Sequence, residues 1–198
     1  VSGTDRVRRL LEVICDEVVP LTREGVAAGN KIFGAAIVRK DDLSTVVAAT
    51  NNEIENPLWH GEIHAIKRFY ELPGRPAVAD CLLLATHEPC SLCLSGIAWA
   101  GFDEFAYLFS HRDSAESFAI PYDIAILKEV YAVPDPDRAA AAPDRDLYNR
   151  ENAFFVSADL MPPARAAFPE LLAGLEETYA ELSASYQRSK GSGNIALA

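Results

Sequence analysis

Basic residues are scarce in this chain. Lys and Arg number 18 against 29 Asp and Glu, a net charge of −11 over 198 residues. Proteins that hold nucleic acid neutralise phosphates with clustered cations. The one basic run here, Arg6-Val7-Arg8-Arg9, fits the polar face of an N-terminal helix, so nucleic acid is not an expected partner. Long apolar runs are missing too. None reaches the roughly 20 residues that a membrane-spanning helix requires, and no secretory signal pattern is visible, so a cytoplasmic protein without membrane contact is expected. Cysteine is limited to 4 residues, which does not suit a disulfide-stapled scaffold in a chain of this length. Cys15 and Cys81 sit inside apolar helix and strand patterns and read as buried free thiols. With 49% hydrophobic and 24% charged residues, the chain suits one globular domain with an ordinary core.

Against that background two short stretches carry chemistry. His60-Gly61-Glu62 supplies an imidazole and a carboxylate, and Pro89-Cys90-Ser91-Leu92-Cys93 supplies two thiols three positions apart. Catalytic zinc takes three protein ligands and keeps a fourth position for water. His60, Cys90 and Cys93 provide that nitrogen and sulfur set, so Zn2+ is the expected cofactor, and Glu62 is left over as the catalytic proton carrier. Alone, a C-x-x-C is weak evidence and an H-x-E weaker. Together, each at an expected strand-to-helix entry, they outweigh a structural zinc clip, which has no use for the carboxylate. His64 lies one turn after His60 but lacks the H-E-x-x-H pattern, and reads as a core or surface histidine.

Taken in order, residues 4–28 have helical spacing in Val7, Leu11, Ile14 and Val18, with Pro20 expected to bend or split the helix and Gly29-Asn30 to end it. Phe33–Val38 and Thr45–Ala49 read as a hairpin around Lys40-Asp41-Asp42. His60 opens a helix to about Tyr70. Cys81–Ala85 is a strand apolar throughout, as expected where both faces are covered. Cys90 opens a helix to about Ala100, Glu104–Phe109 is another strand, a helical stretch interrupted by Pro121 lies in 114–128, and Glu129–Val133 is the expected last strand. Strands alternating with helices indicate a three-layer α/β/α sandwich. Residues 1–133 are the expected zinc-dependent domain. Residues 134–198 are read as a Pro- and Ala-rich linker followed by an amphipathic helix over 166–186, packing on the same domain, and a loose tail.

The arrangement predicts a hydrolytic reaction. Zinc lowers the pKa of bound water toward about 7, giving a zinc-bound hydroxide that attacks a ring carbon bearing an exocyclic amine. Glu62 shuttles the proton to a ring nitrogen and then to the departing ammonia.

The chain resembles the cytidine deaminase-like superfamily over residues 30–133. The resemblance, closest to bacterial guanine- and cytosine-type nucleobase deaminases, rests on His60-Gly61-Glu62, Pro89–Cys93 and Phe33-Gly34-Ala35, with Glu88-Pro89-Cys90, Ala98-Trp99-Ala100 and His111–Ala115 most similar to the guanine deaminase branch. It implies a mixed five-stranded sheet between helices and a homodimer. It further implies substrate contacts from Asn52 (Asn51 less readily), Phe33, Asp113 and Trp99, and a closing role for Tyr148 or for Phe154 and Phe155. Two departures touch the expected pocket wall: the Asn52–His60 loop is short, and Asn56-Pro57-Leu58-Trp59 replaces the usual segment before the histidine. The expected activity is deamination of a small free nucleobase or analogue: cytosine, isocytosine, guanine, or an s-triazine such as azacytosine or ammeline. The alternatives are a cytidine or tRNA adenosine deaminase, and a non-catalytic zinc-stabilised binding module.

Overall fold

The computed structural model describes residues 3–129, 150–151 and 155–190. The chain opens with α1 (Gly3–Val13), a π-helical turn (Ile14–Val18) and α2 (Val19–Ala27) in direct succession. Pro20 was expected to bend or split this helix, and the helix is interrupted just ahead of it: the π-helical turn widens the backbone before the proline, which accommodates a residue with no N–H to donate. Gly29, at φ +102°, then reverses the chain in a conformation that side chains with a Cβ disfavour, and its N–H reaches Val26 O at 2.9 Å.

β1 (Gly34–Arg39) and β2 (Thr45–Thr50) form the expected antiparallel hairpin. β1 also pairs antiparallel with β3 (Cys81–His87), which runs parallel to β4 (Glu104–Phe109). The sheet order is β2-β1-β3-β4-β5, with β5 (Val156–Asp159) parallel to β4 at one edge. The fifth strand of this sheet is Val156–Asp159, which was not expected. Of the strand expected over 129–133, Glu129 closes a helix and residues 130–133 lie outside the described residues. The linker over 134–146, Tyr148, Phe154 and the tail from 191 lie outside the described residues too.

Alternation along the central strands feeds two cores. Ala36, Val38, Leu82 and Leu84 face α1, the π-helical turn and α8 (Pro169–Ser189) through Leu11, Val18, Leu172 and Tyr179. Ala35, Ile37, Leu83 and Ala85 face α3 (Gly61–Glu71) and α4 (Ser91–Trp99) through Ala65, Phe69 and Ile97. Every residue of β3 is buried, which is what its unbroken apolar run requires. This is the three-layer α/β/α sandwich with a mixed five-stranded sheet. Phe155 packs its ring on Phe105 in the second core, centroids 5.0 Å apart, so it is a core residue and not a closing one. Among the described residues, no helix is long and apolar enough to cross a membrane.

Candidate active site

The two motifs meet where α3 and α4 begin. His60 and Cys90 are the N-cap residues of these helices, both in extended backbone conformation (ψ 160° and 171°). This resolves the spacing of H-x-E. Two residues inside a helix would diverge by about 200°, but His60 stands just outside α3 while Glu62 is in its first turn. Cys93, three residues into α4, returns to the same side as Cys90. His60 Nδ1 lies 3.5 Å from Cys90 Sγ and 3.6 Å from Cys93 Sγ, and all three ligand atoms fall within 4.8 Å of one another. Bonds of about 2.05 Å to nitrogen and 2.3 Å to sulfur at a tetrahedral angle separate the two donors by about 3.5 Å. The donors thus fit zinc in kind and in spacing. Glu62 is buried, and its Oε2 is 3.4 Å from Cys93 Sγ.

The electrostatics of these groups follow from burial and mutual contact. A hydrogen bond from Cys93 draws the Cys90 thiol down to about 4 against the effect of burial, and His60 adds to it. Burial pushes Cys93 well above the thiol range. Burial also lifts Glu62 to about 7, assisted by the charge on Cys90. For His60 burial acts downward, but the Cys90 sulfur and the carboxylates of Glu62 and Glu53 outweigh it and raise the imidazole to about 9. A dication would relieve this crowding of acidic groups.

His60 and Cys90 open onto a cavity of about 380 Å³ whose wall includes Phe33, Pro57, Leu58, Leu92, Ile120, Tyr122 and Ile126, with Lys31, Glu53 and Asp123 as its charged members. Asp123 stands at the start of α6 (Tyr122–Glu129), and burial, followed by the charge on Cys90, lifts its carboxyl to about 6.

Of the expected substrate contacts, the structure brings Phe33 to this cavity and leaves the other three away from its wall. Asn52 turns its amide to Glu55 Oε2 at 2.7 Å. Asn51 is buried and committed to Glu53 and to the Gly61 N–H. Asp113 closes a capping box with Ser110 at the start of α5 (His111–Glu116), which satisfies its carboxylate locally. Trp99 ends α4 and is 92% exposed. Spacing alone could not distinguish these residues from wall residues, since each lies close in sequence to an element that does reach the site. His64 bonds Thr50 O through Nδ1 and stacks on Trp59, a structural role as expected. His87 is enclosed by Phe33, Phe109, Phe118 and Tyr179, and burial pulls its imidazole down to about 3. Lys31, Glu53 and Asp123 were not anticipated. Asp123 carried one weak signal, a carboxylate two residues after the Pro121 break.

Residues 10–109 match the family described as the cytidine and deoxycytidylate deaminase zinc-binding region. The chain belongs to this family. Guanine deaminase of Bacillus subtilis (strain 168) is 34% identical over 110 residues, 54% of this deaminase and 69% of that protein. The X-ray structure of the Bacillus subtilis guanine deaminase superposes with a TM-score of 0.51 at 28% identity, covering 72% of this deaminase and 98% of that chain. A guanine deaminase from Nitrosomonas europaea shares the fold, with a TM-score of 0.50 at 16% identity over 95% and 86% of the two chains. As a member of the family this deaminase is a hydrolase of C–N bonds and its metal is zinc.

Proposed function

We propose that this protein removes the exocyclic amine from a free nucleobase or a close analogue, most readily a guanine-type ring, releasing ammonia and leaving a carbonyl. The observation that supports this most directly is a buried carboxyl, Glu62, beside the His60, Cys90 and Cys93 donors where they meet a small cavity. At about 380 Å³ the cavity is near the lower end of ligand pockets, roughly 300–1,000 Å³, which suits a flat heterocycle.

His60 Nδ1 and the two sulfurs would hold zinc, and zinc when bound supplies a Lewis acid that makes a water nucleophilic near neutral pH. Glu62 then manages the protons. Burial lifts its carboxyl to about 7, so it can carry one proton of the attacking water to a ring nitrogen and then the second, from the new hydroxyl, to the departing amine, a match between pKa and working pH that general acid–base catalysis favours. Phe33 offers a ring edge to the heterocycle. Asp123 offers a carboxyl that can accept from a ring N–H or a second amine, and this favours 2-amino rings. Lys31 is the one Lys or Arg among the described wall residues, and its ammonium is taken by Glu53. That leaves no cradle for a nucleotide's phosphate and supports a free base as substrate.

We carry two further expectations with this reading, a homodimer and a cytoplasmic location. Zinc-loaded protein incubated with guanine, isocytosine, cytosine, azacytosine, ammeline and cytidine should release ammonia from at least one free base and show no gain from ribose. Zinc-bound protein that is silent across the set would sink the proposal.

A further inference from the structure

The cavity wall contains an ion pair that the chemistry above leaves idle. Lys31 Nζ donates to Glu53 Oε1 at 2.8 Å, and the two side chains are only 8% and 2% exposed. Removing two charges from water is costly, so a fold that keeps such a pair beside its metal donors has a use for it or a neighbour that depends on it. Glu53 has three other neighbours. Its Oε2 accepts from Asn51 Nδ2 at 2.9 Å and from the Lys31 backbone N–H at 3.4 Å. Asn51 Oδ1 in turn accepts from the Gly61 N–H at the entry of α3, at 2.5 Å. The last neighbour is His60 itself, with Glu53 Oε1 at 3.8 Å from Nε2. The two nitrogens of this imidazole therefore face different partners: Nδ1 faces the sulfurs of Cys90 and Cys93, and Nε2 faces a buried carboxylate.

We propose that Glu53, anchored by Lys31, is a positioning residue for His60 that keeps the ring proton on Nε2 and the Nδ1 lone pair turned toward the metal. The inference rests on the zinc-deaminase reading above. A neutral imidazole has one N–H donor and one acceptor nitrogen, and only the acceptor can ligate a cation. A carboxylate opposite one nitrogen favours the tautomer with the proton there, and such outer partners fix the orientation of metal-binding histidines generally. At 3.8 Å the contact is a charge–dipole attraction rather than a hydrogen bond, and with Glu53 2% and His60 25% exposed water screens it only in part. Lys31 and Asn51 hold the carboxylate from two other directions. Because Asn51 also holds the Gly61 N–H, the imidazole and the first turn of α3 share one anchor.

The deciding variants are Glu53→Gln and the double variant Lys31→Met with Glu53→Gln, each made in the full chain. Gln keeps an oxygen for Asn51 and removes the charge that faces His60. The double variant also removes the unpaired ammonium that could otherwise impair folding. Zinc affinity is read by competition with a chromophoric chelator, and the His60 ring protonation by long-range proton–nitrogen NMR of the zinc-loaded protein. Zinc affinity should fall about 10- to 100-fold in both variants, and the Nε2–H resonance of His60 should shift and exchange faster with water. A folded double variant with wild-type zinc affinity and an unmoved Nε2–H resonance would reduce Glu53 to a packing role and overturn the inference. Because neither readout uses turnover, that result leaves the deaminase proposal standing. A wild-type protein that binds no zinc would remove both.

Discussion

Gly61 stands against the backbone of Gly34 so closely that a methyl on it would fall 2.8 Å from Gly34 Cα and 3.0 Å from Gly34 N and C. Gly34 is equally confined, since a Cβ there would meet Val18 Cγ1 at 2.4 Å and Thr22 Oγ1 at 2.9 Å. Two glycines thus let the N-terminal helical segment, β1 and the entry of α3 stack in contact. The middle position of His60-Gly61-Glu62 is glycine in this chain because backbone, not a movable side chain, occupies the space beside it. Gly61→Ala should cost about 1–3 kcal/mol through forced displacement of the helix entry, and it should weaken zinc binding because His60 and Glu62 flank the displaced residue. Thermal unfolding and metal content test this together. Wild-type values for both would mean that α3 can shift freely.

Glu62→Gln should keep zinc, since the carboxylate is not among the three donors, and should lower kcat by about 10²- to 10⁴-fold, the usual worth of a positioned acid–base group. Cys90→Ser should do the reverse in order, losing metal first and activity as a consequence. Metal stoichiometry measured beside turnover separates the two cases. A Glu62→Gln protein with undiminished turnover would remove Glu62 from the chemistry.

Asp123 gives a prediction with a definite sign. Burial, then the charge on Cys90, raises its carboxyl from 3.8 to about 6, so the folded protein holds this proton more tightly than the unfolded chain does. The associated stability is complete below about pH 3.8 and is lost as pH rises through about 6. In metal-free protein, Asp123→Asn should therefore gain stability relative to wild type across that window, by roughly 2–3 kcal/mol at most for a shift of this size. With zinc and substrate present, the same variant should raise KM for a 2-amino ring more than it lowers kcat. Parallel stability profiles from pH 4 to 7 would show that Asp123 is not buried as described.

The fold and the metal donors were legible for physical reasons. Strand and helix periodicity depends on local contacts, and β3 declared its double burial by being apolar at every position from Cys81 to Ala85. The four groups His60, Glu62, Cys90 and Cys93 were legible because a tetrahedral metal site restricts donor type and spacing. The cavity wall was not. Lys31 and Glu53 are charged residues in connecting segments, and their burial depends on finding each other across 22 residues of chain, which no local pattern records. Trp99 has the composition of a pocket residue, but it lies at the far end of the helix whose first residues do the binding. The strand at Val156–Asp159 was missed for a related reason. β5 is an edge strand with exposed and half-exposed residues, and its sequence has neither the apolar run nor the clean alternation that marked the others.

The C-terminal helix yields a last prediction. Ser183 Oγ and Gln187 Nε2 both donate to Phe118 O, at 3.0 and 3.2 Å, and Lys190 Nζ reaches Tyr122 OH at 3.2 Å. Tyr179 packs against His87, Phe109 and Phe118 from the same helix. α8 therefore holds the segment that carries Ile120, Tyr122 and Asp123 in the cavity wall, although none of the α8 residues named here lines the cavity. Replacing Ser183 and Gln187 by Ala leaves the buried Phe118 carbonyl without these donors, at a cost of about 1–3 kcal/mol. The effect on function should be confined to the wall: zinc content and the pH dependence of kcat stay as in wild type, while KM for the free base rises. Steady-state kinetics beside metal analysis would show it. Should KM hold steady while stability falls by the stated amount, α8 supports the domain without shaping the pocket.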